Sequence, residues 1–148
     1  MTGKTNPVSG TVLERFRGSA AAAFSQTWVT LFTTNPITDG DATTYGTGYV
    51  EWAATNGRIR VFTDMVTDPY WTAPSVDENR MKIENSSTVA WTFLIGLPAA
   101  GETVVGVGIF DSQTGGNLLY WDELDNSRLV MLGDTFQFSA LSLIVRED

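Results

Sequence analysis

Hydrophobic and polar residues alternate with period two over most of this chain. Residues 26–33 place Trp28, Thr30 and Phe32 on one side of an extended segment and Val29 and Leu31 on the other. Their β-branched and aromatic composition suits a pleated, largely buried surface. The run ends at Asn35-Pro36, and residues 49–53 re-enter the sheet. After an Asn56-Gly57 turn signal, residues 58–63 set Arg58 and Arg60 against Ile59 and Val61, which predicts a strand with one wet face. Beyond the proline-punctuated stretch 68–74, residues 80–84 and 88–95 read as strands. The second carries Val89, Trp91, Phe93 and Ile95 on one face, and Asn85-Ser86-Ser87 is the expected hairpin between the two. Leu97-Pro98-Ala99-Ala100-Gly101 turns the chain into 103–110, where Val105, Val107 and Ile109 share a face and Gly106 and Gly108 leave room for a close neighbour. A glycine-rich hairpin turn over 111–116 returns the chain as a strand over 117–123. Gly133-Asp134 opens a last long strand over 135–145. Its apolar phase slips from Phe136 and Phe138 to Leu141, Leu143 and Val145, the mark of a β-bulge near Ala140.

Only the start departs from this period. Thr11-Val12-Leu13-Glu14 matches a capping box, in which the Thr hydroxyl accepts from the backbone N–H three residues on and the Glu carboxylate reaches back. A helix of about two turns follows, with Val12, Leu13 and Phe16 as its apolar face and Gly18 as its stop. Residues 1–10 are turn formers that bury little, so they read as an extended arm, ordered only if something holds it. Strands at roughly ten-residue spacing with turn chemistry between them predict an all-β fold, an antiparallel β-sandwich or jelly roll. A short N-terminal helix and an extended N-terminal arm precede it, giving an arm over 1–10 and a single domain over 11–148.

Composition supports one core: 148 residues, 43% hydrophobic, with five Trp, four Tyr and eight Phe. It also removes chemistry. Cys and His are both absent, which excludes the usual zinc and iron–sulfur sites, Cys nucleophiles and His-dependent triads, and no cofactor is expected. A net charge of −8 repels a phosphate backbone, so nucleic acid is not an expected partner. No apolar run approaches the roughly 20 residues of a spanning helix, and the first residues lack the order of a signal peptide, so no membrane partner is expected either.

Few residues remain as candidate chemistry. Asp39, Gly40 and Asp41 offer oxygen ligands to a cation, but without the alternating acids and terminal Glu of a calcium loop they read as a solvated turn. Asp122, Glu123 and Asp125 supply the carboxylates a glycoside hydrolase needs, yet neighbouring acids at a strand end read as surface charge. Tyr45, Tyr49, Trp52, Tyr70 and Trp71 lie in or beside the long loops 37–48 and 68–74, where rings stack on sugars, fill a partner's pocket or close the ends of a core. Trp28, Trp91 and Trp121 sit in strong strand patterns and are assigned to the core.

Three blocks together resemble a known family. They are Trp28-Val29-Thr30-Leu31-Phe32-Thr33-Thr34-Asn35-Pro36 after the amphipathic helix, the run from Gly106-Val107-Gly108-Ile109-Phe110-Asp111 through Gly115-Gly116-Asn117-Leu118-Leu119 to Tyr120-Trp121, and Gly133-Asp134-Thr135-Phe136-Gln137-Phe138. In order and spacing they are similar to small tailed-phage virion proteins labelled tail fibre proteins, related in type to capsid cement or decoration proteins. The resemblance implies a non-enzymatic structural protein made in the bacterial host cytoplasm and located in the virion, as a tail fibre component or a head decoration. It brings no catalytic residues. Such a protein is expected to self-associate, as a homotrimer, and to pack on the major capsid protein or on tail proteins. The expected contacts are Asn6 and Pro7 of the arm, Val12, Leu13 and Phe16 of the helix, and Asp39, Asp41, Tyr45, Tyr70 and Trp71 of the loops. Two alternatives stand beside it: a module binding host-surface glycan through Tyr45, Tyr70 and Trp71, and a carboxylate-dependent hydrolase using Asp122 or Glu123.

Overall fold

A computed structural model of the chain describes residues 3–4, 26–37, 47–52, 57–63, 66–77, 80–93 and 97–147. The element order is β1 (Gly3–Lys4), β2 (Thr27–Thr34), β3 (Val50–Glu51), β4 (Ile59–Val61), β5 (Ser75–Asp77), β6 (Arg80–Glu84), β7 (Val89–Thr92), β8 (Glu102–Phe110), β9 (Leu118–Val130), β10 (Thr135–Phe138) and β11 (Ile144–Glu147). Among the described residues there is no helix. The helix expected over 11–17 lies outside them, as does the arm apart from β1.

The alternation over 26–33 decides the architecture. Strand β2 stands in a six-stranded sheet ordered β1-β9-β8-β2-β3, with β4 also on β2. All of its pairings are antiparallel. Val29 and Leu31 point to one face, where they meet Val107 and Ile109 of β8 and pack against Trp91, Phe136 and Val145 from outside the sheet. A second layer is thereby laid on that face, built of the three-stranded β11-β6-β5 and the two-stranded β10-β7. The chain is an all-β sandwich of antiparallel sheets.

Three strand assignments need correction. Asn85-Ser86-Ser87 is not a hairpin, because β6 and β7 do not pair with each other. Both pair with the same returning segment, β6 with β11 and β7 with β10. The long strand expected over 135–145 is accordingly two strands, β10 and β11, separated by a turn. The slip expected near Ala140 is real: Phe138 opposes Val89 before the break and Ile144 opposes Glu84 after it, so the returning chain carries one residue more than its partner. It is accommodated by an interruption, in which Leu141 adopts a left-handed φ of 64°, rather than by a bulge within a continuous strand. Third, β9 runs on to Val130 instead of ending at Glu123. Between Glu123 and Arg128 it holds more residues than β8 does between Gly106 and Val104, and this excursion through Leu-Asp-Asn-Ser breaks the alternation that would have marked the strand.

Asn85 sits at the break, with 0% of its surface exposed. Its Nδ2 donates to the carbonyls of Ser87 and Ser139 at 2.7 and 2.8 Å, and its Oδ1 accepts from the Leu143 amide at 2.8 Å. Its backbone amide donates to the Leu143 carbonyl, and its carbonyl accepts from the Leu141 amide. One side chain thus supplies the bonds that the broken ladder no longer makes, as buried backbone groups require.

The glycines of β8 behave as expected. A β-carbon at Gly108 would land on the ring of Phe32, and one at Gly106 on the carboxamide of Asn35. The cross-strand neighbours of β2 therefore approach closer than any other residue would allow.

Candidate contact surfaces

The residues singled out from the sequence fare unequally. Asn6, Pro7, Val12, Leu13, Phe16, Asp39, Asp41 and Tyr45 lie outside the described residues. Tyr70 is half-buried. Trp71 is a correction: it is 8% exposed and belongs to the main core. Its Nε1 donates at 2.7 Å to Thr27 Oγ1, which donates in turn at 2.7 Å to the Val61 carbonyl. Residues 70–72 run beside 84–86, with the Thr72 amide donating to the Glu84 carbonyl and the Ser86 amide to that of Tyr70. This short run ties the second layer to the large sheet, and the ring of Trp71 has no face to offer a sugar. Trp52 is likewise buried, 4.2 Å from Phe93 in an edge-on arrangement. Trp91 and Trp121 are core, as assigned, whereas Trp28 is only half-buried.

The carboxylates do not converge. Asp122 and Glu123 are consecutive in β9, so their side chains leave opposite faces of the sheet. Among the described residues no group of three acids gathers as a metal site would require.

A well-built feature that the sequence reading missed is Arg58. The strand expected to have a wet face turns its arginines onto the outer face of the large sheet, where the Arg58 side chain is only 6% exposed. Its guanidinium stacks on Phe110, 3.4 Å from the ring centroid. It holds the Glu51 carboxylate through two bonds of 2.9 and 2.6 Å and donates from Nη1 to the carbonyls of Ser112 and Gly115, each at 2.6 Å. A planar fork of donors is needed to serve a carboxylate and two carbonyls at once. The same turn is closed from within, where Asp111 accepts from both the amide and the carboxamide of Asn117. The exposed tip over 113–117 is thereby held from both sides of the turn. Tyr49, against Phe32 and Phe110, has its hydroxyl pKa pushed up by burial and then by the Glu51 charge, with Arg58 opposing. We expect Arg58→Lys to cost about 2 kcal/mol, since the charge stays but the fork is lost. In hydrogen exchange the amides of 111–117 should then open well before those of β2; an unchanged turn would show that Arg58 does not hold it.

The second feature is an exposed apolar face. In the β5–β6 hairpin Val76 opposes Met81, and Ile83 opposes Val145. All four therefore point to the face that Val145 presents to the core, yet Val76 is 73% and Met81 47% exposed. The opposite face of the same hairpin is laced with ions: Lys82 to Glu84 at 2.9 Å and Arg146 to Asp77 at 2.8 Å. The Arg146 bond holds the Asp77 carboxyl below its ordinary pKa. That tie is therefore in place above the ordinary aspartate range and is lost as pH falls through the lowered value. Leu129, Met131 and Leu132, all exposed at the β9–β10 turn, form a second apolar patch.

A stiff two-layer sandwich with a clamped turn and projecting apolar faces has the build of a structural module that meets other proteins, the class to which virion appendage proteins belong. The family model described as podophage GP4 fiber I protein gp80 matches residues 5–146, and the chain belongs to that family. It is a phage tail fibre-type structural protein, located in the virion and assembled in the bacterial host. No curated protein matches it.

Proposed function

We propose that this chain is a non-enzymatic building block of the tail fibre that associates with further copies of itself through the β5–β6 hairpin. The observation that carries the reading is the Val76–Met81 pair. It continues the apolar face of the core past the last strand that covers it, on a ribbon whose other face is paired charge. Leaving such a ribbon in water gives up the transfer free energy of two large side chains, about 2–3 kcal/mol, which a second surface recovers. Association through an edge strand also answers the ladder of β5, which among the described residues pairs with β6 alone. Placement at a fibre rather than on the head is supported by the family.

Light scattering on the eluting protein tests this, since it gives the number of copies directly. Wild type should elute as an oligomer, and Val76→Glu or Met81→Glu as a folded monomer with an unchanged unfolding midpoint. A variant that still assembles would remove this face from the contact. Copy number per particle decides the place: a few support the fibre, and hundreds would move the protein to the capsid.

A further inference from the structure

Residues 80–93 and 134–147 run antiparallel as one long ribbon, β6 against β11 and β7 against β10, with the Asn85 break between the two pairs. The Val76–Met81 pair lies at one end of it, since Met81 stands opposite Glu147 in the last pairing of β6 with β11. At the other end the chain enters the ribbon through residues 131–134, where the Phe93 amide donates to the Asp134 carbonyl and the Gly133 amide to that of Phe93. The Leu129, Met131 and Leu132 patch is therefore at the far end from the first, with up to about 40 Å of extended chain between them. It is one surface, for a β-carbon built at Gly101 would touch both Leu129 and Met131. Nor can Leu132 withdraw. The Asp134 amide donates to the Met131 carbonyl at 3.0 Å and the Met131 amide to the Asp134 carboxylate at 2.9 Å. Gly133, with a φ of 90°, takes the third position of the turn, where glycine is favoured. Leu132, 65% exposed, is held out at the tip.

We propose that this turn is what the β5–β6 face receives: Leu129, Met131 and Leu132 of one copy seat on Val76 and Met81 of the next, head to tail. This contact rests on the self-association proposed above, whose second surface it supplies. Shape favours the pairing, since a projecting turn meets a flat strand face. Area favours it as well. The five side chains expose apolar surface on the order of 500 Å², which with a polar rim makes an interface near the roughly 1,000 Å² that specific association requires. The β5–β6 face set against its own copy would bury less and leave the turn in water, whereas the head-to-tail contact uses both patches of every internal copy. Contacts between unlike surfaces do not stop at two copies: they close into a ring or add subunits end to end. Surfaces at opposite ends of one ribbon favour the second course, the geometry by which a fibre lengthens.

The chain has no cysteine, so introduced thiols report the contact without background. Met81→Cys and Leu132→Cys, both at exposed positions, are mixed in equal amounts and oxidised by air, and the linked pairs are identified by mass spectrometry. The mixed pair should exceed either like pair by about tenfold, against about twofold for random collision. An excess of the Met81→Cys like pair would leave the self-association standing and overturn the head-to-tail contact, and a random distribution would overturn it too. Light scattering supplies an independent readout. Wild type should elute above a dimer, Met81→Glu and Leu132→Glu each as a monomer, and their equal mixture as a dimer, because one intact turn then meets one intact β5–β6 face. Leu132→Glu assembling as wild type does would remove the turn from the contact and keep the self-association; a monomeric wild type would remove both.

Discussion

Replacing Asn85 by Leu should remove about 2–4 kcal/mol of stability, a large loss for a substitution that keeps the volume of the side chain. The substitution is close in volume, so little packing is forfeited. What it forfeits is the partner of the Ser87 carbonyl and of the Leu143 amide, while the Ser139 carbonyl keeps the amide and hydroxyl of Ser142 as donors. Each buried group left without a partner costs about 1–3 kcal/mol, against a total of about 5–15 kcal/mol for a domain of this size. The left-handed turn at Leu141, which disfavours a branched residue by roughly 1–2 kcal/mol, is held by the Asn85 carbonyl and should loosen with it. Asn85→Asp separates bonding from shape: it keeps the acceptor for Leu143 but sets a carboxylate against two carbonyl oxygens. The carboxylate repels both carbonyl oxygens whereas the protonated form can donate to one of them, so the loss should be larger at pH 7 than at about pH 3. Chemical denaturation at both pH values measures this. An Asn85→Leu midpoint within error of wild type would show that the break needs no polar hub.

The second large effect is expected at Gly108. Gly108→Ala should cost about 2–3 kcal/mol, because the added methyl meets the fully buried ring of Phe32, which must shift to admit it. Pairing it with Phe32→Leu makes the test specific. The double variant should lose less than the two single losses together by about 1 kcal/mol, since the shorter side chain gives the methyl its space. Strict additivity would place the strain elsewhere.

These two residues also mark how far the sequence can be read. Gly108 was legible: glycines at alternate positions inside a run of Val and Ile have little reason to be there except a close neighbour across the sheet. The strands with clean alternation, β2, β7 and β8, were legible for the same reason. Asn85 was not, because Asn-Ser-Ser is the composition of an ordinary turn. Nothing local distinguishes a chain that reverses there from one that continues to a different partner strand. Arg58 was misread through its alternation with Ile59, since period two names the two faces of a strand but not which of them is wet. Trp71 was misread because burial came from residues 84–86 and Thr27, contacts that local pattern does not carry. Of the contact surfaces, Val76 and Met81 looked like two unremarkable apolar residues until the register set them on one face.

The interrupted ribbon has a consequence for how the protein is made. β8 and β9 adjoin in sequence and close through one short turn, and β6 has β5 beside it, but β7 finds its strand partner in β10 and β6 its second in β11, beyond that whole hairpin. At roughly 5–20 residues per second, a nascent chain leaving the ribosome carries Val89, Trp91 and Phe93 for several seconds before the strands that cover them have been synthesised. Pairings this distant also close slowly. We expect soluble yield in the infected cell to depend on the interval between translation of Val89 and arrival of Phe138, while the apolar strand still lacks its pairing partner.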